Sequence, residues 1–114
     1  MIDYTGRLFR AVSPSDAGDV TSDTLFRYDQ RGNVLMGTYS GGDIEFGSLL
    51  GKIRPDGALT FLYQHVTKSG LLRSGRCDSR PEILPNGKIR LHEDWQWTSG
   101  LGAGGVGTSI LEEV

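Results

Sequence analysis

The sequence predicts an all-β fold: an antiparallel up-and-down meander of about eight strands that closes, or nearly closes, into a small barrel spanning residues 1–114 as one domain. Three observations carry that reading. Turn signals recur at Arg31-Gly32, Gly41-Gly42, Pro55-Asp56-Gly57, Ser69-Gly70, Asn86-Gly87 and Ser99-Gly100, each offering a residue that tolerates positive φ in a tight hairpin. The segments between them have strand length and, in the middle of the chain, alternate with period two. No stretch of about a dozen residues free of glycine and proline places apolar side chains at spacings of three and four, so no amphipathic helix is expected.

The first strand is expected over 3–12, where Phe9 and Ala11 argue for one inward face and Leu8 and Val12 for the other. Ser13 to Ser22, with Pro14, Asp16, Gly18 and Asp19, reads as a long irregular connection across one mouth of the barrel. Strands over 24–30 and 33–40 flank the Arg31-Gly32 turn, and Leu35, Gly37 and Tyr39 share the inward face of the second of these. The fourth strand, 43–54, places Gly47, Leu49, Gly51 and Ile53 inward. Over 58–67, Leu59, Phe61, Tyr63 and His65 fall on one face against Thr60, Gln64 and Val66, with Leu62 the apolar exception. The sixth strand, 71–80, turns Gly75, Cys77 and Ser79 inward with Arg73 near the rim. The clearest alternation is 87–98, where Ile89, Leu91, Glu93, Trp95 and Trp97 oppose Arg90, His92, Asp94 and Gln96. A last strand over 106–113 follows a glycine-rich loop. Eight strands enclose an interior just wide enough for packed side chains or one small ligand.

Composition fits this picture. Glycine supplies 17 of 114 residues, roughly twice the usual share of about 7%, and inside a strand it marks a bend or a close approach to the backbone. The net charge of −2 gives no field for a phosphate backbone, so nucleic acid is not an expected partner. A single cysteine, Cys77, rules out an intrachain disulfide. With neither a leader pattern at the N-terminus nor an apolar run of spanning length, a cytoplasmic protein without membrane contact is expected.

Chemistry concentrates on the predicted interior. Glu93 shares a face with Leu91, Trp95 and Trp97, and a carboxylate buried there must be paired or protonated. Arg7 is a candidate partner, and Tyr39, Tyr63 and Ser79 offer hydrogen bonds. Such a group serves either an internal polar network that fixes strand register or a ligand-recognition site. Trp95 and Trp97 either fill the centre of the barrel or stack on a flat ligand. The expected ligand-binding set is therefore Tyr39, Tyr63, Cys77, Ser79, Glu93, Trp95 and Trp97. No catalytic set, metal site or cofactor is expected.

Several motifs fail on context. Gly100 to Gly105 matches G-x-G-x-x-G, but only nine residues follow Gly105, too few for the crossover helix and parallel strand that a dinucleotide site requires. His92-Glu93 opens like HExxH, yet Gln96 stands at the second histidine position and the segment alternates as a strand. Cys77 and His65 share the interior and could form a nucleophile and base, though no oxyanion site is identifiable.

The run PEILPNGKIRLHEDWQWTSG, with YSGG at 39–42 and GSLLG at 47–51, resembles a family of small all-β proteins often labelled N-acetylglutamate synthase. The resemblance covers most of the chain, and its LHExWQWTSG motif is matched by Leu91, His92, Glu93, Trp95, Gln96, Trp97, Thr98, Ser99 and Gly100. The label implies acetyl transfer from acetyl-CoA to glutamate. The common acetyltransferase fold holds the cofactor pyrophosphate on an R/Q-x-x-G-x-G/A loop leading into a helix; Arg54 to Leu59 is the nearest match, with leucine last and a strand following. By shape the meander is similar to calycin-like barrels of the lipocalin and streptavidin kind, which implies an interior site for a small hydrophobic or aromatic ligand.

Non-catalytic binding of a small ligand inside the barrel is thus the first expectation. The alternatives are an enzyme, by acetyl transfer or by Glu93 as an acid or base, and a structural or interaction module, monomeric or homodimeric.

Overall fold

A computed structural model describes residues 2–13, 19–100 and 102–114. The strands are β1 (Leu8–Ser13), β2 (Leu25–Arg31), β3 (Val34–Gly41), β4 (Ile44–Ile53), β5 (Leu59–Thr67), β6 (Leu72–Ile83), β7 (Ile89–Ser99) and β8 (Val106–Glu113). Each pairs antiparallel with its neighbours in sequence, and β1 pairs with β8 to close the barrel. All-β class, strand number and meander order are as the sequence predicts. Two strand ends differ by more than two residues. β1 begins at Leu8 rather than at residue 3, because Thr5 and Gly6 form a turn first. β6 continues through Pro81 to Ile83; beyond Ser79 it pairs with β7 alone, so a residue without an N–H is accommodated. Residues 14–18 of the expected connection across the mouth lie outside the described residues.

Inward residues follow the predicted alternation from Leu35 to Trp97, and β1 takes the register that buries Phe9 and Ala11. The inward glycines answer a packing problem. Across the strand pairs Gly37 stands opposite Leu49, Gly47 opposite Tyr39, Gly51 opposite Phe61, Gly75 opposite Tyr63 and Gly107 opposite Trp95. Each glycine leaves room for a large side chain to lie across the sheet into a narrow interior, where two large side chains directly opposite would collide.

The two ends of the barrel differ. At one, Tyr4 is fully buried, donates its hydroxyl to the Gly57 carbonyl at 2.6 Å and donates its backbone N–H to Gln30 Oε1 at 2.7 Å, which closes that end. Arg7 lies here too, bonded through Nη1 to both carboxylate oxygens of Glu113 at 2.9 and 3.0 Å. Its expected pairing with Glu93 is therefore corrected: Arg7 precedes the strand, and the β8 carboxylate is the one within reach. At the other end lie all the register shifts, at Ala11/Ser13, Tyr39/Gly41, Ile44/Phe46 and Ser74/Gly75. Bulges of this kind at a barrel rim re-aim side chains, and this rim carries the mouth.

The outer wall is not uniformly polar. Leu50 and Leu62 pair across β4 and β5, and Phe46, Val66 and Leu72 line up across β4, β5 and β6, so the unexpected apolar Leu62 belongs to an outward apolar surface.

Candidate functional site

At the bulged end a cavity enters the barrel. The volume open to the centre of a water-sized sphere is about 50 Å³, inside an unfilled envelope of about 520 Å³ that reaches solvent; the smaller figure alone is room for a few waters. Phe26, Leu49, Phe61, Trp95 and Trp97 form its apolar wall, with Tyr39 and Tyr63 adding phenols. Asp19, His65, Cys77, Glu93 and Ser109 supply polar atoms. Six of the seven residues expected at a ligand site thus line one cavity. Ser79 is the exception: it faces inward beside Glu93 and is 1% exposed, but lies outside the cavity lining.

The aromatic wall is continuous. Trp97 lies 5.6 Å from Trp95 and 5.5 Å from Tyr63, centroid to centroid, and Tyr63 continues to Phe61 at 6.3 Å. The glycine-rich segment after β7 holds Trp97 in place. Gly100, Gly102 and Gly104 take positive φ, and the turn they allow lets Gly104 N–H bond the Trp97 carbonyl at 2.7 Å while Trp97 N–H bonds the Gly105 carbonyl at 2.8 Å. This is the loop expected between the last two strands.

Near the mouth the polar side chains bond mainly to one another. His65, buried on β5, bonds Asp19 Oδ2 through Nε2 at 2.8 Å and Tyr39 Oη through Nδ1 at 2.9 Å. A carboxylate only accepts, so Nε2 carries a proton and donates it to Asp19. Asp19 also takes Arg73 Nη1 on both oxygens, at 3.0 and 3.1 Å, and the Arg73 guanidinium lies 3.6 Å above the Trp97 ring. With both nitrogens engaged, His65 is no base for Cys77. Burial, reinforced by the neighbouring Glu93 carboxylate, pushes the Cys77 thiol well up, and Cys77 also lies 3.7 Å from the Asp78 carbonyl, so the expected nucleophile–base option is not assembled. Burial likewise holds the Tyr39 hydroxyl protonated. The chain from Tyr39 to Arg73 orients side chains; it activates no nucleophile. Replacing Asp19 by alanine is expected to cost about 1–3 kcal/mol in a urea-denaturation experiment, because it leaves the buried Arg73 guanidinium unpaired.

Deeper in, the balance is different. Glu93 on β7 is 7% exposed, and its Oε1 accepts from Ser109 Oγ at 3.2 Å. Its Oε2 is buried with no hydrogen-bond partner among the described residues, as are Ser79 Oγ, Tyr28 Oη and, at the mouth, Arg73 Nε. Burial raises the Glu93 carboxyl to about 7, against the opposing influence of Ser109 and Cys77. The Glu93 carboxyl therefore exchanges its proton around neutral pH, protonated below about 7 and ionised above it.

Sequence reading missed Asp19 and Ser109. Ser109 was legible, since Gly107, Ser109 and Leu111 alternate inward. Asp19 sits in a connection and meets partners 46 and 54 positions away, which no local pattern announces.

Arg54 to Leu59, the nearest match to a pyrophosphate loop, forms a tight turn between β4 and β5, closed by Gly57 N–H to the Arg54 carbonyl at 2.9 Å and Arg54 N–H to the Ala58 carbonyl at 2.8 Å. His92, on the outer face, bonds Glu82 at 2.9 Å. No curated protein matches the chain at a significant level. A family model described as "Avidin-like protein" matches residues 2–114. That match agrees with the expected calycin-like barrel and lends no support to the synthase label. Matched over almost its whole length and folded as a closed eight-stranded antiparallel barrel, the chain belongs to the avidin-like family.

Proposed function

We propose that this protein binds a small ligand non-catalytically in the aromatic cavity at the bulged end of the barrel. The observation that carries the reading is the contrast within one interior. In the mouth network of Tyr39, His65, Asp19 and Arg73 the one buried atom left unbonded among the described residues, Arg73 Nε, belongs to a guanidinium already paired with Asp19 and stacked on Trp97, whereas Glu93 is a buried carboxylate with one oxygen that no described residue bonds and no cation among the groups facing it. An unbonded polar atom on an aromatic-walled cavity is what a ligand-recognition site provides, a few polar groups for orientation and apolar walls for affinity. Membership of the avidin-like family is consistent with small-ligand binding.

The chain's two tryptophans, Trp95 and Trp97, both line the cavity, so tryptophan emission reports directly on its contents. A panel of small metabolites is expected to contain a compound that shifts this emission and raises the melting temperature. At one hundred times its dissociation constant the ligand adds about 2.7 kcal/mol, roughly 10 °C for a domain of this size. A panel in which no compound moves either signal, together with native mass spectrometry showing no retained small molecule, would overturn the reading.

A further inference from the structure

Resting on that reading, we propose that the ligand is a small protonated amine, its ammonium group paired with Glu93 and its apolar body lying against Trp95, Trp97 and Tyr63. The argument starts from what surrounds the carboxylate. The groups facing Glu93 are Cys77 and Ser79 from β6, Ser109 from β8, Tyr28 from β2, Tyr39 from β3 and Tyr63 from β5. None carries positive charge, and burial holds the thiol and the three phenols in their neutral forms.

The basic side chains that share this cavity end are committed elsewhere. Arg73 is bonded to both oxygens of Asp19 and stacked on Trp97, and His65 is bonded at both ring nitrogens. With Arg73 and His65 both bonded to Asp19, an ionised Glu93 has no counter-ion among the described groups that face it. A buried carboxylate without a counter-ion is unfavourable in proportion to its desolvation. A ligand cation supplies the counter-ion and donates to the unbonded Oε2, while the electron-rich faces of Trp95, Trp97 and Tyr63 favour positive charge next to them. A neutral ligand of the same shape gains only the wall.

The test pairs each amine with its alcohol: benzylamine against benzyl alcohol, and propylamine against propanol, titrated calorimetrically into wild type and Glu93→Gln. In wild type at least one amine is expected to bind about 10- to 100-fold more tightly than its alcohol, the range expected for a charge-assisted bond; in Glu93→Gln that preference falls to about threefold or less. A wild-type measurement stands independently of how the variant folds. Near pH 6, where Glu93 is largely protonated, binding of the amine is expected to release about one proton, measured by comparing buffers of different ionisation enthalpy, and near pH 8.5 almost none. The alcohol releases none at either pH. Alcohol bound as tightly as amine, or a preference that survives in Glu93→Gln, overturns the amine assignment while leaving interior binding intact. Failure of both amines in wild type also overturns it, and interior binding falls with it only if the metabolite panel is silent too.

Discussion

Glu93→Gln is expected to make the empty protein more stable at pH 8, by about 1–3 kcal/mol in urea denaturation, and to change it little at pH 4. The direction follows from proton linkage. In the folded chain burial holds the Glu93 carboxyl at about 7, against an ordinary value of 4.5. Between those two values the folded state keeps a proton that the unfolded state has lost, so stability falls as pH rises through this window and the loss is complete above about 7. The gap corresponds to about 3 kcal/mol. Glutamine does not titrate and keeps an oxygen to accept from Ser109 Oγ. Its amide nitrogen enters the place of the unbonded Oε2, where a donor also lacks a described partner, and this offsets part of the gain. Other groups that titrate between pH 4 and 8 are common to both proteins and cancel in the difference. Parallel pH profiles for the two proteins would show that the Glu93 carboxylate is not desolvated in the folded state. On the proposed function the same residue destabilises the empty barrel and pairs with the ligand, a trade between stability and function that binding sites often display.

How far the sequence predicts this arrangement depends on whether the signal is local. Period-two alternation and hairpin turns are local, and they suffice to place Tyr39, Tyr63, Cys77, Glu93, Trp95 and Trp97 around one axis. Arg7 failed even though β1 takes the register that buries Phe9 and Ala11, because Arg7 precedes the strand at the end far from the mouth and charge pairing depends on which strand closes the barrel; β8 brings Glu113 to Arg7. Asp19 failed because its partners are set by tertiary closure of the mouth. The glycines are an intermediate case. Read one strand at a time, Gly47 and Gly75 look like bends or ligand space. Read across the hairpins they face Tyr39 and Tyr63, and hairpin register is information the turn positions already contain. Ser79 shows the limit of alternation, which fixes the face of a residue but not its depth along the barrel axis.

Gly75→Ala is accordingly expected to cost about 1–3 kcal/mol, the range for overpacking a filled interior, although alanine at an unstrained extended position ordinarily gains about 0.4–1 kcal/mol through the unfolded chain. A Cβ at Gly75 would overlap the ring and hydroxyl of Tyr63 and come within 2.6 Å of the Gln96 carbonyl oxygen. The carbonyl is part of β7, which pairs with β6 along its length, so relief there means distorting the sheet. The ring has little better choice, since Phe61 lies on one side and Trp97 on the other. Displaced, Tyr63 presses on Trp97, so the loss of stability is expected together with a change in tryptophan emission in the absence of any ligand. Truncating Tyr63 removes one of the two clashes, and the double variant Gly75→Ala, Tyr63→Ala is expected to be more stable than the sum of the single effects by about 1 kcal/mol. Additive losses, or a stable Gly75→Ala with unchanged emission, would show that the glycine is not there to admit the ring. In that case the cavity wall would be adjustable, and the packing that holds Tyr63 and Trp97 against a ligand would have to come from the ligand itself.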